Sequence, residues 1–177
     1  MLELARRETD ASFAADIEHL PCPTAQFNLW WSSLSIQWCD PLTVFAEAFR
    51  VLQPGGTLAV STLGPETFHE LRTAFSGIDT HRRTLAFDTP ETVGQALEQA
   101  GFSRLEIRRE HHAIHYPDLK TLLRAVKAIG AHNVGEGGRS GMMGRAAWQH
   151  VEAAYERFRT ADGLPASYDV ILAYATK

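Results

Sequence analysis

Residues 27 to 62 read FNLWWSSLSIQWCDPLTVFAEAFRVLQPGGTLAVST, and the pattern of this stretch decides the fold. A short apolar and aromatic run gives way to a polar cluster and an Asp-Pro, then to an amphipathic segment that stops at Pro-Gly-Gly, then to a second apolar run. This is a strand, a helix and a strand. Strands joined through a helix must lie parallel, and parallel sheets bind ligands beyond the carboxyl ends of their strands. Those ends fall near Ser32 to Trp38 and Ser61 to Gly64.

Within this unit Asp40 is suited to cap the helix, and Pro41 occupies the first helical position, where a missing N–H costs nothing. Leu42, Phe45, Ala46, Phe49 and Leu52 recur at helical spacing and predict the packed face. Pro54-Gly55-Gly56 cannot continue a helix and supplies the positive φ of a tight turn, so the second strand is expected over Thr57 to Thr62.

Toward the amino terminus, Met1 to Arg7 resembles the last turns of a helix without an N-cap. Phe13-Ala14-Ala15 with Asp16-Ile17 reads as a short parallel strand with an acid at its carboxyl end, and residues 18 to 26, with Pro21 and Pro23, as a loop. Downstream, Phe68, Leu71, Phe75 and Ile78 predict one side of a helix, and His81-Arg82-Arg83 a basic loop. Thr89-Pro90-Glu91 starts another helix, with Val93, Ala96, Leu97 and Ala100 inward and Gly101 as its stop. From Phe102 the pattern alternates, with Leu105 and Ile107 against Glu106 and Arg108, as in a strand with one wet face. Asp118 caps a helix through Leu119, Leu122, Leu123, Val126 and Ile129. Gly130 to Gly144, with six glycines, reads as a mobile loop. Arg145 to Arg159 is helical through Trp148, Val151, Tyr155 and Phe158, and Ser167 to Ala175 closes the chain as a strand with Tyr168, Val170, Leu172 and Tyr174 on one side.

The bulk properties set limits. A chain of 177 residues is one domain by length, with room for a core, and residues 117–160 form a helical insertion before the last strand. A net charge of -4 disfavours nucleic-acid binding, which usually shows as a basic stripe. No apolar run is long enough to span a bilayer, and a cytoplasmic location is expected. Cys22 and Cys39 have neither disulfide nor metal-ligand spacing and read as ordinary thiols. His111, His112 and His115 look like a metal cluster, but neighbours on a strand point to opposite faces, so no metal site is expected.

The run SLSIQWCDP, the helix ending in FRVLQPGG, the strand TLAVSTLGPETFHELR, the segment LKTLLRAVKAIGAHN and the terminal YDVILAYATK together resemble malonyl-acyl-carrier-protein O-methyltransferase. That family uses S-adenosyl-L-methionine (SAM) in early biotin synthesis. The helix and PGG turn are common to many SAM methyltransferases, whereas the QWC and KAIGAHN runs are the discriminating parts. Ser33 and Ser35 depart from the family, which more often has Asn and Ala there. The resemblance implies a Rossmann-like α/β fold, mostly parallel with an antiparallel C-terminal strand, and a sheet order of 3-2-1-4-5-7-6. Nothing here corresponds to the superfamily's opening strand, Gly-rich turn, first helix and second strand with its ribose-binding acid. The expectation is therefore a methyltransferase chain lacking those elements, with weak or absent SAM binding alone and an exposed edge along Phe27 to Ser32. Either the first segment slides over to pair there, or a partner chain or a second copy covers it.

The resemblance also implies site residues. Asp16 matches the acid that receives the adenine amino group, and Ile17 would cover the ring; the alternative is a surface acid in a loop. Ser32 and Ser33 end the strand where backbone carbonyls meet the cofactor's amino group, and are otherwise a polar strand end. Gln37 and Trp38 lie on the substrate side, Trp38 as a wall for an acyl chain or as core. A cation is wanted for the malonyl carboxylate, and Lys127, His132 and Arg139 are candidates, each otherwise solvated. His81, Arg82 and Arg83 are candidates to meet an acyl carrier protein. No catalytic acid–base pair is needed, because a carboxylate is already an ionised nucleophile. The rival functions are a non-catalytic module binding carrier protein or a partner chain, and a methyltransferase for another small carboxylic acid.

Overall fold

A computed structural model describes residues 12–76, 87–128 and 144–177. Ile78, the 81–83 triplet, Ile129, His132, Arg139 and the expected 130–144 loop up to residue 143 lie outside the described residues, as does the segment 1–11. The elements run β1 (Phe27–Ser33), a single 3-10 turn (Ile36–Trp38), α1 (Pro41–Val51), β2 (Leu52–Leu63), α2 (His69–Phe75) and α3 (Pro90–Ala100). They continue with β3 (Ser103–Tyr116), α4 (Leu119–Ala128), α5 (Arg145–Glu156) and β4 (Leu164–Thr176). The helices α4 and α5 fall between β3 and β4, within residues 117–160.

The four strands form one sheet in the order β1-β2-β4-β3. β1 and β2 are parallel, with Trp31 opposite Ala59 and Ser33 opposite Ser61. β4 runs against β2, since Gly55 and Gly56 pair with Lys177 while Gly64 pairs with Asp169. β4 also runs against β3, because Ser103 reaches Thr176 and Arg109 reaches Asp169. The order matches the 4-5-7-6 part of the expected sheet, with the last strand in chain order inserted antiparallel between its neighbours.

Two compact units share these strands. Of the described residues, the first comprises those within 12–62, 91–108 and 172–177, and the second those within 63–90 and 109–171. In the first unit the expected strand–helix–strand is present. The Asp40 side chain accepts from the Thr43 backbone N–H at 2.9 Å, and Pro41 begins α1. The packed face differs from the expected one. Val44, Phe45, Ala48 and Val51 are buried, whereas Ala46 and Leu42 are exposed, Leu42 by 41%. Two apolar stripes run along α1, and hydrophobic spacing alone cannot say which one the sheet covers.

The Pro-Gly-Gly turn lies inside a strand rather than ahead of one. Pairing with β1 begins at Leu52 and is interrupted by a bulge before Thr57. Gly55 holds φ +78° there, and a side chain on Gly56 would meet the Gln53 carbonyl oxygen at 2.9 Å. The bulge absorbs the surplus residues so that Thr57 can pair with Leu29. Gly101 stops α3 with φ +100°. Phe102 N–H returns to Leu97 and Gly101 N–H to Glu98, the double bond of a Schellman motif.

The segment expected as a strand at Phe13–Asp16 is not one. Phe13 is 60% exposed, and Asp16 makes one antiparallel bridge to His19, closing a tight turn with the Asp16 carboxylate accepting from Glu18 N–H at 3.0 Å. Three apolar residues with no strand beside them among the described residues gain nothing from extension, and the Asx bond of Asp16 supplies a local alternative. Residues 12–16 do not slide over to pair with β1, which stays at the end of the sheet. On that strand Phe27, Leu29 and Trp31 are 41%, 55% and 70% exposed, while Trp30 and Ser32 are buried.

In the second unit Phe68, Leu71, Leu122, Val126, Val151 and Tyr155 belong to one buried cluster. Tyr155 donates its hydroxyl proton to the Pro165 carbonyl at 2.7 Å, and burial pushes its pKa up. In β4, Tyr168, Val170, Leu172 and Tyr174 do share a side, the less buried one; Asp169, Ile171, Ala173 and Ala175 are buried.

The first unit is tied at its carboxyl end by Lys177. Its ammonium donates to the carbonyls of Phe49 and Leu52 at 2.5 and 2.7 Å and sits 4.5 Å from the centre of the Phe49 ring. This places a cation at the negative end of the α1 dipole and over an aromatic face. Lys177→Met, which keeps the stem and removes the charge, is expected to cost about 1 kcal/mol and to lower the melting midpoint by about 2–4 °C in a thermal scan.

Candidate functional site

The carboxyl ends of β1 and β2 carry a cluster of serines in the first unit. Ser32 is buried, and its Oγ lies 2.6 Å from Ser35 Oγ. Ser61 Oγ donates to Ser33 Oγ at 3.3 Å. The Leu34 N–H donates to the Ser61 carbonyl at 2.9 Å and approaches Ser61 Oγ at 3.2 Å. Leu34 takes φ +47°, a left-handed conformation that turns the chain sharply off the end of β1 into the 3-10 turn. Here Gln37 Nε2 donates to the Leu34 carbonyl at 2.7 Å, and Gln37 Oε1 is buried without a hydrogen-bond partner. A buried acceptor without a donor costs free energy, and among the described residues Gln37 Oε1 is left free to accept a hydrogen bond. Trp38 is 45% exposed and does not lie in the core.

Asp16 and Ile17 are held beside this turn from the other side. Glu18 Oε1 accepts the Asp40 N–H at 2.8 Å. Leu20 N–H donates to Glu47 Oε2 at 2.9 Å, while Arg50 donates to the carbonyls of Cys22 and Leu20 at 2.7 and 2.9 Å. The Arg50–Glu47 pair is itself bidentate, at 2.8 Å through each contact. The hydrogen bonds from Arg50 hold the Glu47 carboxyl down to about 2, against the cost of its burial. Cys39, between the turn and α1, is pushed up by burial and by the nearby Glu18 and Asp16 charges, which favours the thiol over the thiolate. Of the candidate residues, the structure thus brings Asp16, Ile17, Ser32, Ser33, Gln37 and Trp38 into the first unit around one turn. Lys127 lies in the second unit, exposed in the last turn of α4.

The second unit holds a polar centre that the sequence reading did not single out. Asp169, 1% exposed, receives Arg109 Nε and Nη2 at 2.7 and 2.8 Å and the Glu66 N–H at 3.0 Å. Its backbone carbonyl accepts from Gly64 N–H at 2.7 Å and from Thr67 Oγ1 at 3.1 Å. A Cβ on Gly64 would come within 2.4 Å of Asp169 Oδ2, so glycine is required for the approach. Burial alone would raise the Asp169 carboxyl, but the Arg109 fork and the Glu66 N–H outweigh it and hold it below the usual carboxylate range. Arg109 also meets Glu66 at 3.0 Å, and His111 lies 3.9 Å from Asp169. The alternation of β4 placed Asp169 among Ile171, Ala173 and Ala175, and that charge in an apolar row was the available signal. His112 turns instead to Glu110 at 3.1 Å, and among the described residues no group of side chains has the makings of a metal site.

Comparison with known proteins decides the family. A profile described as "Methyltransferase domain" matches residues 1–60. The malonyl-[acyl-carrier protein] O-methyltransferase of Dechloromonas aromatica is 51% identical over 93% of this chain and 63% of its own length. That of Herminiimonas arsenicoxydans is 40% identical over 100% of this chain and 68% of its own. The chain belongs to the malonyl-[acyl-carrier protein] O-methyltransferase family. The biotin biosynthesis bifunctional protein BioHC of Teredinibacter turnerae is 41% identical over 92% of the chain, which spans 29% of that larger protein. The chain spans less than two thirds of the Dechloromonas relative and 56% of that of Laribacter hongkongensis. Solved structures support the same fold. YcgJ of Bacillus subtilis superposes with a TM-score of 0.60 at 14% identity, covering 99% of this chain and 75% of its own. A SAM-dependent methyltransferase of Thermotoga maritima gives 0.54 at 16%, covering 100% and 69%.

For this family member the Glu47–Arg50 clamp gives a direct acid test. The Glu47 carboxyl lies below its ordinary 4.5, at about 2, so its stabilising effect is complete above pH 4.5 and is lost as pH falls toward 2. Thermal midpoints measured between pH 6 and pH 3 are expected to fall in the native chain. In Glu47→Gln the midpoint is expected to start lower and to fall less steeply over the same range.

Proposed function

We propose that the chain serves in SAM-dependent methylation of the free carboxylate of malonyl-acyl-carrier protein, in the synthesis of the biotin precursor. The observation that carries this is the identity of 40% to a malonyl-[acyl-carrier protein] O-methyltransferase along 100% of the chain, joined to a polar turn at the carboxyl ends of β1 and β2. When bound, SAM supplies an activated methyl group on a sulfonium leaving group. The remaining task is to position and desolvate the partners. The malonyl carboxylate is ionised near neutral pH and attacks without a general base.

The described residues fit two ends of SAM. Asp16 is an exposed acceptor suited to the adenine amino group, with Ile17 beside it. The serine cluster and its strand-end carbonyls suit the amino-acid end, and the unpartnered Gln37 Oε1 offers a further acceptor. Gln37 and Trp38 would face the acyl substrate. Lys127 is the described candidate for orienting the carboxylate, alongside His132 and Arg139.

A second reading is favoured by the exposure of Phe27, Leu29 and Trp31 along the free edge of β1. An apolar edge strand of this kind is a site for pairing. In that reading a partner segment, from another chain or a second copy, pairs with this edge, and the chain alone binds carrier protein without methylating it.

Titration calorimetry with SAM, followed by transfer of labelled methyl from SAM at millimolar concentration, separates these readings. The chain alone is expected to bind SAM in the millimolar and not the micromolar range, and to label malonyl-carrier protein in preference to free malonate. Micromolar SAM binding contradicts the weak-site account. Preferential labelling of another small carboxylic acid contradicts the assignment of substrate.

A further inference from the structure

We propose that the groove between α2 and α5 binds the phosphopantetheine arm through which a carrier protein presents its acyl group. This rests on the malonyl-carrier reading above and adds a site to it. The groove encloses about 370 Å³, within the size range of small-molecule sites. Both walls belong to the second unit: Thr73, Ala74 and Ser76 on one side, and His150, Ala153, Ala154, Arg157 and Phe158 on the other.

The chemistry of the walls selects the ligand. None of these residues carries a negative charge. Among the described residues, the Arg157 guanidinium and the His150 imidazole have no hydrogen-bond or ion-pair partner, and both side chains are exposed. Arg72 is committed to the Thr67 and Pro65 carbonyls, Arg109 to Asp169, and Arg159 to Glu156 and the Pro117 carbonyl; Arg124 and Arg145 are not among the residues that line the groove. An uncommitted guanidinium fork at the rim of a groove without acids is matched to a phosphate ester, which it can hold by two parallel hydrogen bonds.

The rest of the groove fits the remainder of the arm. His150, Ala153, Ala154 and Arg157 lie on one stripe of α5 and its final turn, with the two polar side chains about 10 Å apart along the axis. Ala153 and Ala154 leave a shallow apolar floor between them. Phe158 walls one end, fixed by edge-on contacts to His69 and Tyr155 at 6.2 and 5.8 Å. A phosphate on Arg157 therefore places the branched dimethyl carbons of the arm over the alanines and Phe158, and an amide carbonyl within reach of the His150 ring. The Thr73 and Ser76 hydroxyls have already donated to the His69 and Thr73 carbonyls, so they offer acceptors toward the arm's amide N–H groups.

Calorimetry on the chain with 4′-phosphopantetheine, pantetheine and inorganic phosphate tests the assignment. Phosphopantetheine is expected to bind, and pantetheine to bind at least about tenfold more weakly. Arg157→Glu is expected to abolish the difference between them, Arg157→Lys to keep part of it, and His150→Ala to weaken both arms several-fold, all with unchanged circular dichroism melting. Equal binding of the two arms, equal binding of phosphate and phosphopantetheine, or an Arg157→Glu variant that binds like the native chain would each overturn the site. Methyl transfer to malonyl-carrier protein is read in parallel. Arg157-dependent arm binding without methylation keeps the groove and rejects the methylation reading; methylation unaffected by Arg157→Glu does the reverse.

Discussion

A buried carboxylate on an inserted antiparallel strand is the constraint on which the second unit depends. β4 lies between β2 and β3, and Asp169 on it is almost wholly withdrawn from water. An ion taken out of water costs several kcal/mol unless its lone pairs are satisfied. Here they are satisfied by the Arg109 fork from β3 and by the Glu66 N–H from the loop that follows β2. One side chain therefore joins three neighbouring stretches of backbone, and Gly64 lacks a Cβ because the carboxylate fills that space. Apolar packing of Leu71, Leu122 and Tyr155 supplies stability; the carboxylate supplies register, since a slip of one residue would carry Asp169 to the other face of the sheet and away from Arg109 and the Glu66 N–H.

Much of the fold could be read from residues whose role is local. The Asp40-Pro41 cap, the Gly101 stop and the alternation of Leu105 and Ile107 each act within a few residues, and each stands as read. Errors arose where the outcome depended on distant neighbours. Phe13-Ala14-Ala15 has the composition of a strand but, among the described residues, no strand beside it, and the Asx bond of Asp16 wins. On α1 two apolar stripes compete, and the sheet covers the one through Val44 and Ala48. The Pro-Gly-Gly turn became a bulge because β1 pairs with both sides of it.

The candidate site was legible in the same proportion. Ser32, Ser33, Gln37 and Trp38 were readable because the carboxyl end of a parallel strand is a fixed place for ligands. Asp169 escaped because its role needs Arg109, sixty residues away in sequence, and pairing over that distance leaves no local pattern. The clamp from Arg50 and Glu47 to Leu20 and Cys22 escaped for the same reason. Both charge pairs hold loops, the first unit using its pair to fix Leu20 and Cys22 and the second to seat Gly64 to Thr67.

Amide hydrogen exchange in native protein and Asp169→Asn tests this organising role most directly. Loss of the charge should release the Glu66 and Gly64 amides, raising their exchange by about tenfold or more, while the amides of Val44 and Phe45 in the first unit keep their native protection. Unchanged exchange at Glu66, or an equal rise throughout the chain, would contradict the claim that this carboxylate organises the loop.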